Sequence, residues 1–119
     1  MKLLISTALT ALLVASPASA QLGQVNDPAP GYSSLLRSDY STAEREIRSA
    51  NVSAYDPARS INLGIALAKQ GHRGEAATEF NRVLTEEDVE MIVANGETVM
   101  SHDVARRALA ALENGPLSR

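Results

Sequence analysis

The stretch PARSINLGIALAKQGHRGEAATEFNRVL, residues 57–84, decides how the rest of this chain is read. Pro57 suits the first turn of a helix, where its missing N–H costs nothing, and Asp56 stands before it as a cap. Ile61, Gly64, Leu67 and Ala68 then fall on one helical stripe, with Leu63 beside it. Gly71 and Gly74 bracket a turn holding His72 and Arg73. Beyond it Ala76, Ala77, Phe80, Val83 and Leu84 recur at helical spacing. The pattern predicts two helices folded back on one another. Gly64 costs about 1 kcal/mol in a helix relative to Ala, so it marks a place where a neighbouring helix comes close. Phe80 is the only phenylalanine in the chain and the natural plug for that place.

Upstream, Ala43, Ile47 and Ala50 recur at i, i+4 and i+7, with Glu44, Arg45, Glu46 and Arg48 between them. That is an amphipathic helix with a solvated charged side, capped by Ser41 or Thr42. Tyr32 to Arg37 has apolar content for one or two further turns. The residues before it, from Gln21, are rich in Gly, Pro, Asn and Asp and read as a flexible lead-in that extends over 21–38.

With both helical segments in place, the chain resembles the tetratricopeptide (TPR) repeat family over about Asp39–Leu84. Leu63, Gly64, Leu67, Gly71, Ala76 and Phe80 fall at the small and large positions of that repeat. Ser60 and Leu67 stand where the consensus has Trp and Tyr. Asp39, Tyr40, Ala43, Ile47 and Ala50 look like the second helix of a preceding copy, about one 34-residue period upstream. The resemblance implies a stack of helical hairpins over 39–84 and a non-catalytic role in binding or organising other proteins. One and a half copies are visible, where groove-forming arrays need about three.

The C-terminal part, 85–114, has a different pattern. Thr85 to Asp88 is acidic and reads as a solvated loop, since the spacing and glycine of a calcium loop are missing. Val89 to Ala94 and Glu97 to Met100 flank Asn95-Gly96, the strongest short signal for a β-hairpin. A two-residue turn would pair Ala94 with Glu97, Val93 with Thr98, Ile92 with Val99 and Met91 with Met100. Met91, Val93 and Met100 would then share one face, and Ile92 and Val99 the other. Ile92, Val99, Glu90 and Glu97 are the candidate partner-binding residues on such a ribbon, with a homodimer as one outcome. The alternative is that the final helix covers this face at home. That helix is capped by Ser101, and Val104, Ala105, Ala108, Leu109 and Leu112 form its apolar side. The expected fold class is mainly α: a TPR-like helical hairpin stack, a short C-terminal β-hairpin and a final helix.

Residues 1–20 carry an address. Lys2 precedes the apolar run Leu3–Val14, Pro17 breaks it, and Ala18-Ser19-Ala20 places small residues before Gln21. This is the three-part pattern of a cleaved secretory signal, and its apolar core is shorter than the roughly 20 residues a membrane span requires. No cysteine follows for a lipid anchor. The expected destination is the periplasm, or otherwise the medium, with no membrane anchor after cleavage. The partner is then an exported protein or peptide.

Composition narrows the chemistry. A formal charge of −3, made more acidic by loss of Lys2, argues against nucleic acid as a partner. With zero cysteines there is no disulfide or thiol chemistry, and an aromatic content of 3% leaves few stacking surfaces. His72 and His102, the only histidines, are thirty residues apart and lack the i, i+4 pairing of helical zinc sites. No nucleophile elbow, phosphate loop or dinucleotide fingerprint is present, so no cofactor is implied. An envelope or secreted enzyme with a site near His72 or His102 is the alternative reading, and a self-associating structural protein a third.

Overall fold

The computed structural model describes residues 14–17, 29–115 and 117. The elements in order are β1 (Val14–Pro17), α1 (Tyr32–Leu36), α2 (Tyr40–Ser49), α3 (Pro57–Lys69), α4 (Arg73–Thr85), β2 (Glu90–Val93), β3 (Thr98–Met100) and α5 (Ser101–Asn114). The chain is mainly helical, with the antiparallel hairpin β2–β3 leading directly into the last helix.

Helix α3 is the axis of the packing. Asp56 caps it, its carboxylate accepting from the Ala58 N–H at 3.2 Å, and Pro57 occupies the first turn. Ten of its thirteen residues are buried. A helix apolar around its whole circumference has to be enclosed on every side. Here α2 and α4 flank it, α1 and α5 close the remaining helical sides, and β1 runs alongside. Its end is a Schellman turn: His72 N–H donates to Leu67 O at 2.9 Å and Gly71 N–H to Ala68 O at 3.0 Å. The turn lets α4 fold back so that Phe80 lies on Gly64.

Helix α2 starts one cap earlier than its Ser and Thr suggest. Asp39 accepts from the Thr42 N–H at 3.3 Å, so neither Ser41 nor Thr42 is the cap. Ala43 and Ile47 are fully buried as their spacing requires. Glu44 links the elements: it accepts from Arg48 at 2.8 Å and, across helices, from the Gln70 amide at 2.9 Å. These two donors, the Arg48 guanidinium foremost, hold its carboxyl below the usual range.

Two features depart from the sequence reading. Within the expected lead-in, residues 29–38 are packed, not free. Ala29 and Leu35 belong to the core, and buried Ser34 donates to Glu46 of α2 at 2.6 Å. One turn of helix suffices because Leu35 brings enough apolar surface to anchor it. Residues 21–28 of that lead-in lie outside the described residues. So does the expected secretory signal, apart from Val14–Pro17. That piece, from the last residue of the apolar run to Pro17, forms β1, antiparallel to β2, so the sheet has the order β1-β2-β3 and not two strands.

At the C-terminus, Gly115 N–H and Leu117 N–H both return to Ala111 O, each at 3.0 Å. Leu117 is buried with the core, so the chain tucks back after α5.

Candidate interaction surface

The hairpin carries the four residues singled out for partner binding, and its register decides what they present. The pairs are Glu90 with Met100, Met91 with Val99, and Ile92 with Thr98. This is one residue away from the two-residue-turn pairing. Val93 N–H donates to Glu97 O at 3.0 Å and Gly96 N–H to Val93 O at 2.9 Å, leaving Ala94, Asn95 and Gly96 as a three-residue connection. A type I′ turn would need positive φ at both Asn95 and Gly96, whereas only Gly96 has it, at 87°. The result is a β-turn closed by the Gly96 N–H to Val93 O bond and ending in a left-handed glycine. Asn95 fastens it by accepting from Glu97 N–H at 2.9 Å and donating to the Glu97 carboxylate.

A slip of one residue moves side chains to opposite faces. Met91 and Val93 are buried, and Val99, opposite Met91, packs with them against the core. Ile92 stands on the other face, between exposed Glu90 and Thr98, and is half-buried without joining the core cluster. Met100, expected beside Met91, sits opposite Glu90 on this outer face. The structure therefore separates Ile92 from Val99. Glu90 and Glu97 are both exposed, Glu97 at the turn and Glu90 at the far end of β2.

What fixes the hairpin to α5 is the acidic loop before it. Asp88 accepts from His102 N–H at 2.9 Å and from the Ser101 hydroxyl at 3.2 Å, while Ser101 Oγ accepts from Val89 N–H at 2.9 Å. Ser101 is thus not the helix cap; Asp88, thirteen residues upstream of it, satisfies the N–H of His102 in the first turn. That hydrogen bond from His102 N–H, with the charges of His102 and Arg106, holds the Asp88 carboxyl below its usual range despite some desolvation. In the sequence Asp88 reads as part of a solvated loop. No local pattern could reveal the cap, because the hairpin separates it from the helix.

The histidines are set apart. His72 is exposed at the α3–α4 turn, its Nδ1 3.4 Å from a Glu75 oxygen. Its neighbour Arg73 donates to Leu112 O at 2.9 Å, at the C-terminal end of α5, where a cation favours the helix dipole. His102 is at the opposite end of α5, with Nε2 2.8 Å from Glu86 O. Ten helical residues separate the two ends, roughly 15 Å. Among the described residues, no three His, Asp or Glu side chains come together as a metal-binding group.

Leu63, Leu67, Ala76 and Phe80 are all core residues, and Gly64 is buried beneath Phe80. Their apolar surface is spent inside the fold. No protein-family model, curated protein or solved structure matches this chain.

Proposed function

We propose that this chain is the precursor of a periplasmic, non-catalytic interaction module built from TPR-like helical hairpins, whose partner is another exported protein or peptide. The secretory pattern of residues 1–20 supports the export, and no helix among the described residues is long and apolar enough to cross a membrane. The small-and-large interlock of Gly64 with Phe80 is the packing that the TPR-like reading expects.

One observation carries the choice of surface. Most apolar helical residues lie in a common core, with Leu36 of α1 an exposed exception, whereas Ile92 is a half-buried aliphatic residue of the hairpin outside that core, flanked by exposed Glu90. An apolar residue beside a carboxylate fits a partner segment with an apolar residue beside Lys or Arg.

The test is capture of envelope proteins on the processed chain and on its Ile92→Lys and Leu36→Lys variants. N-terminal sequencing of the exported form should begin at Gln21. A reproducible partner retained by Leu36→Lys and lost by Ile92→Lys is the expected result. A partner indifferent to Ile92, or none, overturns the assignment of the surface.

A further inference from the structure

We propose that β2 is a self-association edge: once residues 1–20 are removed, it pairs antiparallel with β2 of a second copy, centred on Ile92. The proposal rests on the export reading for the removal of β1, and its edge geometry comes from the fold.

Val93 N–H and Val89 O bond to β3, through Glu97 O and Ser101 N–H. In an antiparallel ladder alternate residues address opposite edges. Glu90, Ile92 and Ala94 therefore turn their N–H and C=O groups away from β3. In the full chain that side is taken by β1, with Ser16 opposite Ile92 and Pro17 opposite Met91. The edge is thus competent to pair with an extended segment, and the chain itself supplies one. The fit is imperfect. The register breaks between Val14 and Ser16, and Pro17 ends the strand without an N–H for any further bond.

All of β1 precedes the Ala20–Gln21 junction. Processing there vacates the edge and leaves a row of unpaired backbone groups, which proteins rarely leave open. A second β2 matches it without a bulge. A two-fold axis normal to the sheet at Ile92 sets Ile92 against Ile92 of the second copy and Glu90 against Ala94, twice. Each of these residues turns its N–H and C=O to the new partner, and each pair exchanges two hydrogen bonds. Met91 meets Val93 on the core side, Ile92 meets its own copy on the outer side, and no two carboxylates stand opposite one another. Self-complementarity of this kind is what a closed two-fold interface requires. While β1 remains tethered, its effective concentration, on the order of millimolar for a short connection, keeps the second copy out.

The test compares three species by sedimentation equilibrium: the full chain of 12.6 kDa, the chain beginning at Gln21, and the full chain with Ser16→Pro. Ser16→Pro removes the N–H that faces Ile92 and leaves residues 29–115 unaltered. The full chain is expected as a monomer and the other two as dimers. Because the chain has no cysteine, Ile92→Cys is a unique reporter. In the dimer it forms a disulfide with its own copy under mild oxidant, and Thr98→Cys, one strand away, does not. A processed chain that stays monomeric at hundreds of micromolar overturns the proposal, as does a dimer in which Ile92→Cys fails to cross-link. A monomer that instead takes up an extended peptide overturns the choice of occupant. If the exported form begins elsewhere than Gln21, the export reading fails, while the Ser16→Pro result still decides the edge.

Discussion

The ring of Phe80 lies across the backbone of Gly64: a methyl group built on Gly64 would come within 3.0 Å of three ring carbons. Both residues are buried, Phe80 completely, so the ring has nowhere to retreat. This contact sets how closely α3 and α4 approach, and with it the position of the α4–β2 loop that carries Asp88.

Gly64→Ala should therefore destabilise the protein, although alanine is the better helix former. Overpacking a core costs about 1–3 kcal/mol, against about 1 kcal/mol gained in helix propensity, for a net loss of up to about 2 kcal/mol. Urea titration should show a lower midpoint with an unchanged slope. Combining Gly64→Ala with Phe80→Leu should restore part of the loss. An unchanged midpoint for the single variant would show that the helices are not in tight contact there.

The register of the hairpin gives a second test, performed on the full chain. Val99→Lys places an ammonium against Met91 on the core face and should cost about 1–3 kcal/mol. Ile92→Lys lies on the outer face and should stay within about 0.5 kcal/mol of the parent. Equal losses in thermal or urea unfolding would return the two residues to one face and refute the three-residue turn.

Asp88 and Asp56 should respond to acid with opposite signs. The folded carboxyl of Asp88 is held below its ordinary value near 4, chiefly by the His102 N–H. Its stabilising contribution is complete above that value and is lost as the pH falls through the folded pKa. Asp56 is raised, because burial outweighs the hydrogen bond from Ala58 N–H. The folded state then takes up a proton before the unfolded one, so its contribution grows as the pH falls through the raised pKa towards about 3.9. At pH 7 Asp88→Asn should be less stable than the parent, the gap closing in acid. Asp56→Asn keeps the cap and should be at least as stable at pH 7. Melting curves between pH 2.5 and 7 check both signs.

The docked segment before α2 supplies a further test. Leu35 is 4% exposed, so Leu35→Ala should cost about 2–4 kcal/mol, in the range of other buried leucines. Ser34→Ala removes the bond to Glu46 and should cost about 1 kcal/mol. If 29–38 were a free arm, neither substitution would move the unfolding midpoint.

Helices α2, α3, α4 and α5 were legible from local pattern, because apolar spacing, Pro57 and the Gly71 turn act over a few residues. The hairpin was legible from Asn95-Gly96, and Ile92 stands on its outer face as expected. Residues 29–38 were harder to read: five helical residues carry too short a period, and contacts with other elements, among them Ile47 and Glu46 of the next helix, hold them in place. For the same reason Asp88 gave no sign of its role, since its partners Ser101 and His102 are adjacent only after the hairpin has formed.

By itself, then, the order of residues determined the helical character of the chain, the fold-back at Gly71 and the presence of a β-turn at Gly96. Tertiary structure decided the register of that hairpin. Asn95-Gly96 is compatible with turns of two or three residues, and the choice moves Val99 and Met100 across the sheet. Burying Val99 beside Met91 while Val89 and Asp88 engage Ser101 selects the longer turn, and burial is not a local property. The same holds for Val14–Pro17. Apolar residues there mark a segment that avoids water, but only the open edge of β2 makes it a strand.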